Sequence, residues 1–426
     1  MTNRAHRSLI TSGMGFRKPA LALALFCGLA MAATQSTQAQ TFSLLHSFSG
    51  GHDGGTLYSG VTIDRAGNFY GTTFSGGGTG CGGSGCGIVF KLVHRDSSWQ
   101  LTPIYIFTGL SDGGYPEAGV VFGPDGSLYG TTEAGGSGGF GVVYRLQPPA
   151  TACGSVLCPW IETVLYNFEN GEPSFTGALT FDASGNIYGT TYDGGSTGYG
   201  SVYELSPSNG GWNEMVLHSF MGGNDGGFPD SGVILDSAGN LYGTTQAGGE
   251  TYGVVYKLTH SGSGWTETVL YRFTDGSDGS SPWGGLVFDA AGKLYGTTQG
   301  SGIQGGGTVF QLSPATGAWT LTTLHTFVFD EGWPYATLTM DTPGNLYGTT
   351  AYDDGTGSDG VAFELVRSSG WTYETLHTFD GLSDGGGPYG GVTMDTSGNL
   401  YGTTAAGGSD LQNCSNGCGV VWEITP

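Results

Sequence analysis

Apolar and polar residues alternate in short segments along most of the chain, which is the pattern of β-strands that bury one face. Seven such segments stand a few residues before a copy of the tetrapeptide Tyr-Gly-Thr-Thr. Their apolar pairs are Val61/Ile63, Val120/Phe122, Leu179/Phe181, Val233/Leu235, Leu286/Phe288, Leu338/Met340 and Val392/Met394. A turn such as Asp236–Asn240 separates segment and tetrapeptide and predicts a hairpin of two strands.

The tetrapeptide defines a tandem repeat of about 52–59 residues. Its copies begin at Tyr70, Tyr129, Tyr188, Tyr242, Tyr295, Tyr347 and Tyr401. Runs of adjacent apolar residues follow, such as Gly-Val-Val-Tyr at 141–144, and predict a third strand buried on both faces. A fourth strand runs from a Trp to a Phe eight positions later, at Trp99/Phe107, Trp160/Phe168, Trp212/Phe220, Trp265/Phe273, Trp319/Phe327 and Trp371/Phe379.

Four strands per repeat are typical of a propeller blade, so the sequence predicts an all-β, seven-bladed β-propeller of four-stranded blades. The last repeat lacks its fourth strand, whereas Thr41–Phe48 carries the fourth-strand pattern with Gln40 in the Trp position. We therefore expect this N-terminal strand to close the last blade, with residues 41–426 forming a single propeller domain. A solenoid such as a β-helix is the alternative, but sharing of the terminal strands favours a closed ring.

The first 40 residues precede the repeats and have the order of a secretory signal peptide with a short leader. Four basic residues (Arg4, Arg7, Arg17 and Lys18) come before the apolar run Pro19–Ala33, and small and polar residues follow to Gln40. We therefore expect a secreted protein, either extracellular or periplasmic. No later segment approaches the ~20 apolar residues of a membrane span.

Composition adds that the chain is both glycine-rich and acidic, with 84 Gly in 426 residues and a formal net charge of −23. Apolar residues make up 38% of the chain, enough for a core, so the glycines are expected in turns. The negative charge excludes nucleic acid as a partner. The sequence leaves the oligomeric state open.

Six cysteines follow the leader as three close pairs: Cys81 with Cys86, Cys153 with Cys158, and Cys414 with Cys418. Even numbers and short loops in an exported chain favour three disulfides. Zinc binding is the alternative, but it needs four converging ligands, and no His lies within a few residues of any pair.

Repeats that read D-x-x-G-N-L-Y-G-T-T, then G-G, then G-V-V-Y-K-L, as at Asp236–Leu258, resemble the GloVer tandem-repeat family (choice-of-anchor tandem repeat GloVer-containing proteins). The resemblance covers Thr41–Pro426. It implies an exported bacterial repeat protein and brings no catalytic residues with it. Repeat two departs from the pattern, because Gly123 stands where the other repeats have Asp.

Histidine supplies no defensible catalytic residue. His46, His218, His325 and His377 share one position, two before the fourth-strand Phe, which Tyr105, Tyr166 and Tyr271 fill in other repeats. A position open to either aromatic residue indicates packing. The remaining His52, His94 and His260 lack a local motif around a nucleophile. We therefore assign no catalytic residue, and the sequence favours a protein that is not an enzyme.

Asp-Gly recurs five residues after the Phe in five repeats, at Asp53, Asp112, Asp225, Asp278 and Asp384. A turn explains this dipeptide, because Asp bonds the local backbone and Gly relieves steric strain. Calcium binding by the same carboxylates is the minority interpretation. No other cofactor is expected.

Large aromatic residues in the loops that enter each blade are the candidate ligand-binding residues, because a ring of loops shares one face of a propeller. The candidates are Tyr115, Phe228, Trp283, Trp333, Tyr335 and Tyr389, and Tyr58 and Phe175 lie in the same loops. Such rings can stack on sugars or pack against the loop Pro. Acidic residues that do not repeat are expected on that face: Glu117, Glu133, Asp193, Asp230, Glu250, Asp353 and Asp354.

Three functions are compatible with these features. The first is a non-catalytic recognition or scaffold protein that binds a carbohydrate or an extracellular protein through the loop face. The second is a secreted carbohydrate-active hydrolase or lyase, for which the sequence nominates no carboxylate pair. The third is a structural ring stabilised by calcium.

Overall fold

Antiparallel sheets of four strands account for the whole architecture, which is that of a seven-bladed β-propeller. The structure is a computed structural model that describes residues 40–149, 160–169, 177–248, 252–262, 264–329, 332–351, 359–368, 370–409, 414 and 416–425. A 3₁₀ turn spans Cys81–Gly83. The predicted fold is therefore confirmed.

Each of the first four blades uses consecutive strands. Blade 1 contains β2 (Thr62–Ile63), β3 (Phe69–Thr73), β4 (Ile88–Arg95) and β5 (Ser98–Ile106). Blade 2 contains β6 (Val121–Phe122), β7 (Leu128–Thr131), β8 (Val142–Gln147) and β9 (Ile161–Asn167). Blade 3 contains β10 (Thr180–Phe181), β11 (Ile187–Thr191), β12 (Ser201–Ser208) and β13 (Gly211–Ser219). Blade 4 contains β14 (Ile234–Leu235), β15 (Leu241–Thr245), β16 (Val254–Ser261) and β17 (Gly264–Arg272).

The last three blades include the one that is built from both ends of the domain. Blade 5 contains β18 (Val287–Phe288), β19 (Leu294–Thr298), β20 (Gly305–Ala315) and β21 (Ala318–Val328). Blade 6 contains β22 (Thr339–Met340), β23 (Leu346–Thr350), β24 (Val361–Arg367) and β25 (Trp371–Thr378). Blade 7 contains β26 (Thr393–Met394), β27 (Leu400–Thr403), β28 (Val420–Thr425) and β1 (Thr41–Ser47).

The ring closes through strand β1, which pairs antiparallel with β28, placing Thr41 opposite Thr425 and Phe42 opposite Ile424. The N-terminal strand thus supplies the missing fourth strand of blade 7, as the sequence predicts. Closure gives every blade a neighbour on each side, and pairing with β1 covers the edge that β28 would otherwise expose.

The core consists of seven apolar clusters, each between two neighbouring blades. In every cluster the Phe that ends the fourth strand of one blade packs on the third-strand aromatic ring of the next. The ring pairs, with centroids 5.0–5.7 Å apart, are Phe48–Phe90, Phe107–Tyr144, Phe168–Tyr203, Phe220–Tyr256, Phe273–Phe310, Phe327–Phe363 and Phe379–Trp422. Most of these pairs are edge-to-face, the geometry that aromatic quadrupoles favour.

The Gly of each tetrapeptide makes room for that third-strand ring. Gly71 lies opposite Phe90 in the antiparallel register, and a Cβ on Gly71 would stand 2.6 Å from Cζ of that ring. The same clash recurs in the other six blades, up to Gly402 against Trp422. A side chain cannot be added here without displacing the aromatic pair that joins two blades.

The Tyr of each tetrapeptide closes the hairpin of its own blade. Its hydroxyl donates to the Asp that begins the preceding turn, as in Tyr242 to Asp236 at 3.0 Å. Blade 2 has Gly123 at the Asp position, and Asp125 two residues later accepts from Tyr129 instead, at 3.3 Å. The departure of repeat two from the pattern therefore preserves the hydrogen bond.

The two Thr residues of the tetrapeptide have different partners. The first donates to a carbonyl of the next blade: Thr244 Oγ1 lies 3.1 Å from Gly284 O, and Thr403 Oγ1 lies 2.6 Å from Ser59 O across the closure. The second Thr bonds within its own blade, as where Thr245 accepts from Val254 N at 3.2 Å. One hydroxyl joins blades and the other shapes a loop.

No helix in the described ranges is long and apolar enough to cross a membrane.

Replacement of Gly243 by Ala tests the contact between the tetrapeptide and the third strand. A Cβ at Gly243 would lie 2.6 Å from Cζ of Tyr256, so we expect a loss of about 1–3 kcal/mol in the free energy of unfolding. Gly264→Ala in the same blade is the control, because nothing lies within 4 Å of its added Cβ. Chemical denaturation measures both, and equal stabilities of the two variants would contradict this account.

Replacement of Thr244 by Val tests the hydrogen bond between blades 4 and 5. Val keeps the shape and removes the donor to Gly284 O, so we expect a loss of about 1–2 kcal/mol. The matched control is Thr266→Val on the exposed face of β17, which should leave the melting temperature within a degree or two. A Thr244→Val melting curve that overlays the parent curve would refute the assignment.

Candidate functional site

A cavity of about 650 Å³ lies where the seven blades meet. Its wall is formed by the segments that lead into the first strand of every blade. Small residues bring these segments together: a Cβ on Gly284 would stand 2.5 Å from Ala336 O of the next blade. In six of the blades this segment also places one large side chain in the cavity wall.

Four aromatic residues form a continuous arc along this wall. Trp283 of blade 5, Tyr335 of blade 6, Tyr389 of blade 7 and Tyr58 of blade 1 all line the cavity. Consecutive ring centroids are 5.3, 5.2 and 5.7 Å apart. The indole Nε1 of Trp283 is buried without an acceptor in the described part of the chain. The name aromatic arc is used below for these four residues.

Two carboxylic acids occupy the equivalent position in other blades, Glu117 in blade 2 and Asp230 in blade 4. Burial raises the pKa of Asp230 to about 7. Burial, with the nearby negative charges of Asp230 and Glu133, raises the pKa of Glu117 to about 7. The described residues give neither carboxyl a hydrogen bond or an ion pair, so each stays available to a ligand.

Backbone conformation at the loop Pro decides which aromatic residues reach the cavity. The residue after the Pro lines the wall, as Trp283 does after Pro282. The residue before it packs outward: Tyr115 and Phe228 both have φ of 59°, which is unusual for bulky residues. This conformation lets the Phe228 amide donate to Tyr199 O of the preceding blade at 2.8 Å. The strain is therefore tied to the contact between blades.

The six predicted aromatic residues thus divide into two groups. Trp283, Tyr335 and Tyr389 line the cavity together with Tyr58. The other three lie away from it: the Tyr115 ring stacks on Phe74, Phe228 packs on Tyr192 and Tyr199, and Trp333 packs on Phe329. Phe175 lies outside the described residues.

Polar residues directly after the tetrapeptide bond to one another or to the cavity wall, and the sequence analysis singled out none of them except Glu133. Gln299 Nε2 donates to the Tyr335 hydroxyl at 2.7 Å, and Tyr192 donates to Gln246 Oε1 at 2.7 Å. Glu133 occupies the corresponding position of blade 2. In the sequence these residues are marked only by their position, directly after the second Thr of the tetrapeptide.

The remaining predicted acids are distributed differently. Glu133 lies close enough to affect the pKa of Glu117, and Asp193 adjoins Tyr192, but neither lines the cavity. Glu250, Asp353 and Asp354 lie outside the described residues.

The five Asp-Gly carboxylates all shape turns. Each accepts the backbone amide of the residue after the fourth-strand Phe at 2.9–3.0 Å. The His or Tyr seven residues earlier also approaches each one, as His377 Nε2 does at 2.8 Å from Asp384. The described residues contain no group of three or more His, Cys, Asp or Glu side chains placed to hold a metal. Calcium binding at Asp53, Asp112, Asp225, Asp278 or Asp384 stays a prediction.

Two of the three predicted disulfides are present, Cys81–Cys86 and Cys414–Cys418. Both lie in the loop before the third strand and contact the loop that enters the next blade, where Thr56 N donates to Cys418 O at 2.8 Å. Tyr199 and Tyr252 fill the position of Cys86 and Cys418 in blades 3 and 4. Cys153 and Cys158 lie outside the described residues.

Comparison with known families agrees with the repeat and its geometry. The model of the Gloeobacter/Verrucomicrobia repeat matches residues 30–215 and 174–422, which together span nearly the whole chain. The chain belongs to this repeat family. The resemblance of its repeats to the GloVer pattern is thereby confirmed.

Solved structures similar to the GloVer chain share little sequence identity with it, and no curated protein matches it. A protein of Thermus thermophilus named as an oxidoreductase (glucose dehydrogenase) is 16% identical, with a TM-score of 0.46 over 79% of this chain and 99% of that one. A protein of Bacteroides uniformis named as a 6-phosphogluconolactonase is 12% identical, with a TM-score of 0.49 over 81% and 89%. A protein of unknown function from Dyadobacter fermentans is 10% identical, with a TM-score of 0.44 over 91% and 98%.

The pH dependence of stability tests the burial of Asp230 in the GloVer propeller. Because the folded-state pKa is about 7 and the ordinary value is 3.8, the folded protein binds this proton more tightly than the unfolded chain. The stabilisation of the folded state by the protonated Asp230 carboxyl is fully present below pH 4 and is lost as the pH rises through 7. Asp230→Asn should therefore match the parent at pH 4 and exceed its unfolding free energy at pH 8, by on the order of 2–4 kcal/mol.

Denaturant melts at pH 4, 6 and 8 measure this difference. Asp193→Asn, which removes a charge outside the cavity, is the control and should retain the pH dependence of the parent. An Asp230→Asn variant whose stability falls with pH as steeply as the parent's would show that this carboxyl is not buried as described.

Proposed function

We propose that this protein is an exported, non-catalytic recognition propeller that binds a carbohydrate in its axial cavity. Export is supported by the two disulfides and by the bacterial repeat family. Carbohydrate binding is supported above all by one observation, the aromatic arc along the cavity wall.

The arc suits sugars because sugar rings present apolar C–H faces that stack on aromatic side chains. Aromatic anchors also lose little conformational entropy on binding. A cavity of about 650 Å³ falls within the range of small-molecule sites. Glu117 and Asp230 offer hydroxyl groups hydrogen-bond acceptors on the opposite part of the wall.

The scaffold favours a site of this kind. Contacts between the blades fix the position after the loop Pro through backbone hydrogen bonds and close glycine contacts. Its side chain is therefore presented rigidly and is free to differ between blades. A site held by a rigid scaffold loses less ordering entropy when ligand binds.

A carbohydrate hydrolase is the second candidate, and one observation favours it. Glu117 and Asp230 share one cavity, and a pKa of about 7 suits a general acid. Release of reducing ends from a bound glycan, abolished by Glu117→Gln and by Asp230→Asn, would establish turnover in place of simple binding.

A glycan array followed by calorimetry on the mature chain tests the proposed function. We expect saturable binding, and we expect Trp283→Ala to raise the Kd by at least about tenfold. This factor corresponds to the loss of about 1.4 kcal/mol, which is the order of one aromatic stacking contact. Trp333→Ala is the matched control, because Trp333 packs on Phe329 away from the cavity, and it should bind as the parent does.

Two results would contradict the proposal. Absence of binding to every glycan would leave a protein partner as the recognition target. Equal loss of binding in Trp333→Ala and Trp283→Ala would move the site from the cavity to the outer loops.

A further inference from the structure

The wall of the axial cavity is divided by charge as well as by shape. Its aromatic arc belongs to blades 5, 6, 7 and 1, which are consecutive in the closed ring. Glu117 and Asp230 come from blades 2 and 4, on the other part of the wall. The lining residues that the structure describes include no Lys, Arg or His, so this part of the wall supplies no counter-ion.

Both carboxyls are partly buried in the cavity wall and receive no hydrogen bond or ion pair from the described residues. Carboxylates placed in this way are costly unless a cation or a donor meets them. A neutral sugar can donate hydroxyl hydrogens but brings no opposite charge. A protonated amine satisfies both needs, because it carries three donors and a positive charge.

The aromatic arc favours the same ligand. Aromatic faces attract cations, most strongly when the site excludes water. Acidic side chains beside an aromatic wall therefore recognise an ammonium group better than a neutral group of the same size.

Resting on the carbohydrate binding proposed above, we propose that the axial cavity selects glycans that carry free amino groups, that is, amino sugars in their protonated, non-acetylated form. The sugar rings stack along the arc of Trp283, Tyr335, Tyr389 and Tyr58. The ammonium group is held by Glu117 and Asp230. An N-acetyl group at the same place brings neither the charge nor the three donors.

Calorimetry with three oligosaccharides of equal length tests the selection: the β-1,4-linked glucosamine pentamer, the same oligomer fully N-acetylated, and cellopentaose. We expect the glucosamine pentamer to bind at least about tenfold more tightly than the other two, as expected for a charge-assisted hydrogen bond in a partly dry site. A Lys-rich peptide of similar charge, included as a fourth probe, should bind more weakly than the glucosamine pentamer.

The double variant Glu117→Gln/Asp230→Asn removes the charges and keeps the shape. It should reduce the preference for glucosamine to within about twofold, because the glucosamine pentamer loses the charge contribution that the neutral oligomers never had. Asp193→Asn, an acid outside the cavity, should leave the preference intact. Trp283→Ala should weaken all three oligosaccharides together, and circular dichroism checks that each variant is folded.

The outcomes separate this inference from the proposed function. Equal or tighter binding of the N-acetylated or glucose oligomer, lost in Trp283→Ala, would overturn the selection for amines and leave carbohydrate recognition standing. Binding of the Lys-rich peptide in preference to the glucosamine pentamer would overturn it in favour of a protein partner. No binding of any oligosaccharide would overturn both proposals.

Discussion

Each blade is joined to the next by a pair of aromatic rings, and the rest of the fold depends on this contact. The Phe that ends a fourth strand packs on the third-strand ring of the following blade, and a tetrapeptide Gly leaves the space that this ring needs. The contact occurs seven times, including the pair Phe48–Phe90 across the closure. Because Phe48 directly follows the N-terminal strand, that strand both completes blade 7 and positions the ring that packs against blade 1.

The same interfaces determine what the axial cavity can do. The hydroxyl of the first Thr in most tetrapeptides and close glycine contacts hold the inner segments of neighbouring blades together. Tyr115 and Phe228, each directly before a loop Pro, have positive φ and donate a backbone hydrogen bond to the preceding blade. These constraints recur around the ring in most of the described blades, so they carry no specificity. The side chain at the position after the Pro takes no part in these contacts. At this position the repeats differ in sequence and supply the aromatic arc and two carboxyls. Function is thus expected where symmetry breaks on a symmetric scaffold.

Much of this architecture can be read from the sequence because the repeat is strict. The seven copies of the tetrapeptide predict the number of blades, and the Trp-to-Phe spacing predicts the fourth strand of each blade. The additional fourth-strand pattern at the N-terminus predicts how the ring closes. The site is harder to predict, since Trp283 and Trp333 look alike in sequence: both flank a loop Pro. One lies after it and lines the cavity, while the other lies before it and packs on Phe329. Alignment by the Pro would have placed Glu117 and Asp230 in the position of Trp283, but which side chains surround them in the cavity depends on packing between different blades.

A crystal structure of the propeller with a glucosamine oligosaccharide, at a concentration that saturates binding in solution, tests the central claim most directly. The account predicts ordered sugar in the axial cavity, with a ring against Trp283 and an amino group within hydrogen-bond distance of Glu117 or Asp230. Sugar bound on the outer rim beside Trp333, with the axial cavity free of it, would contradict the account.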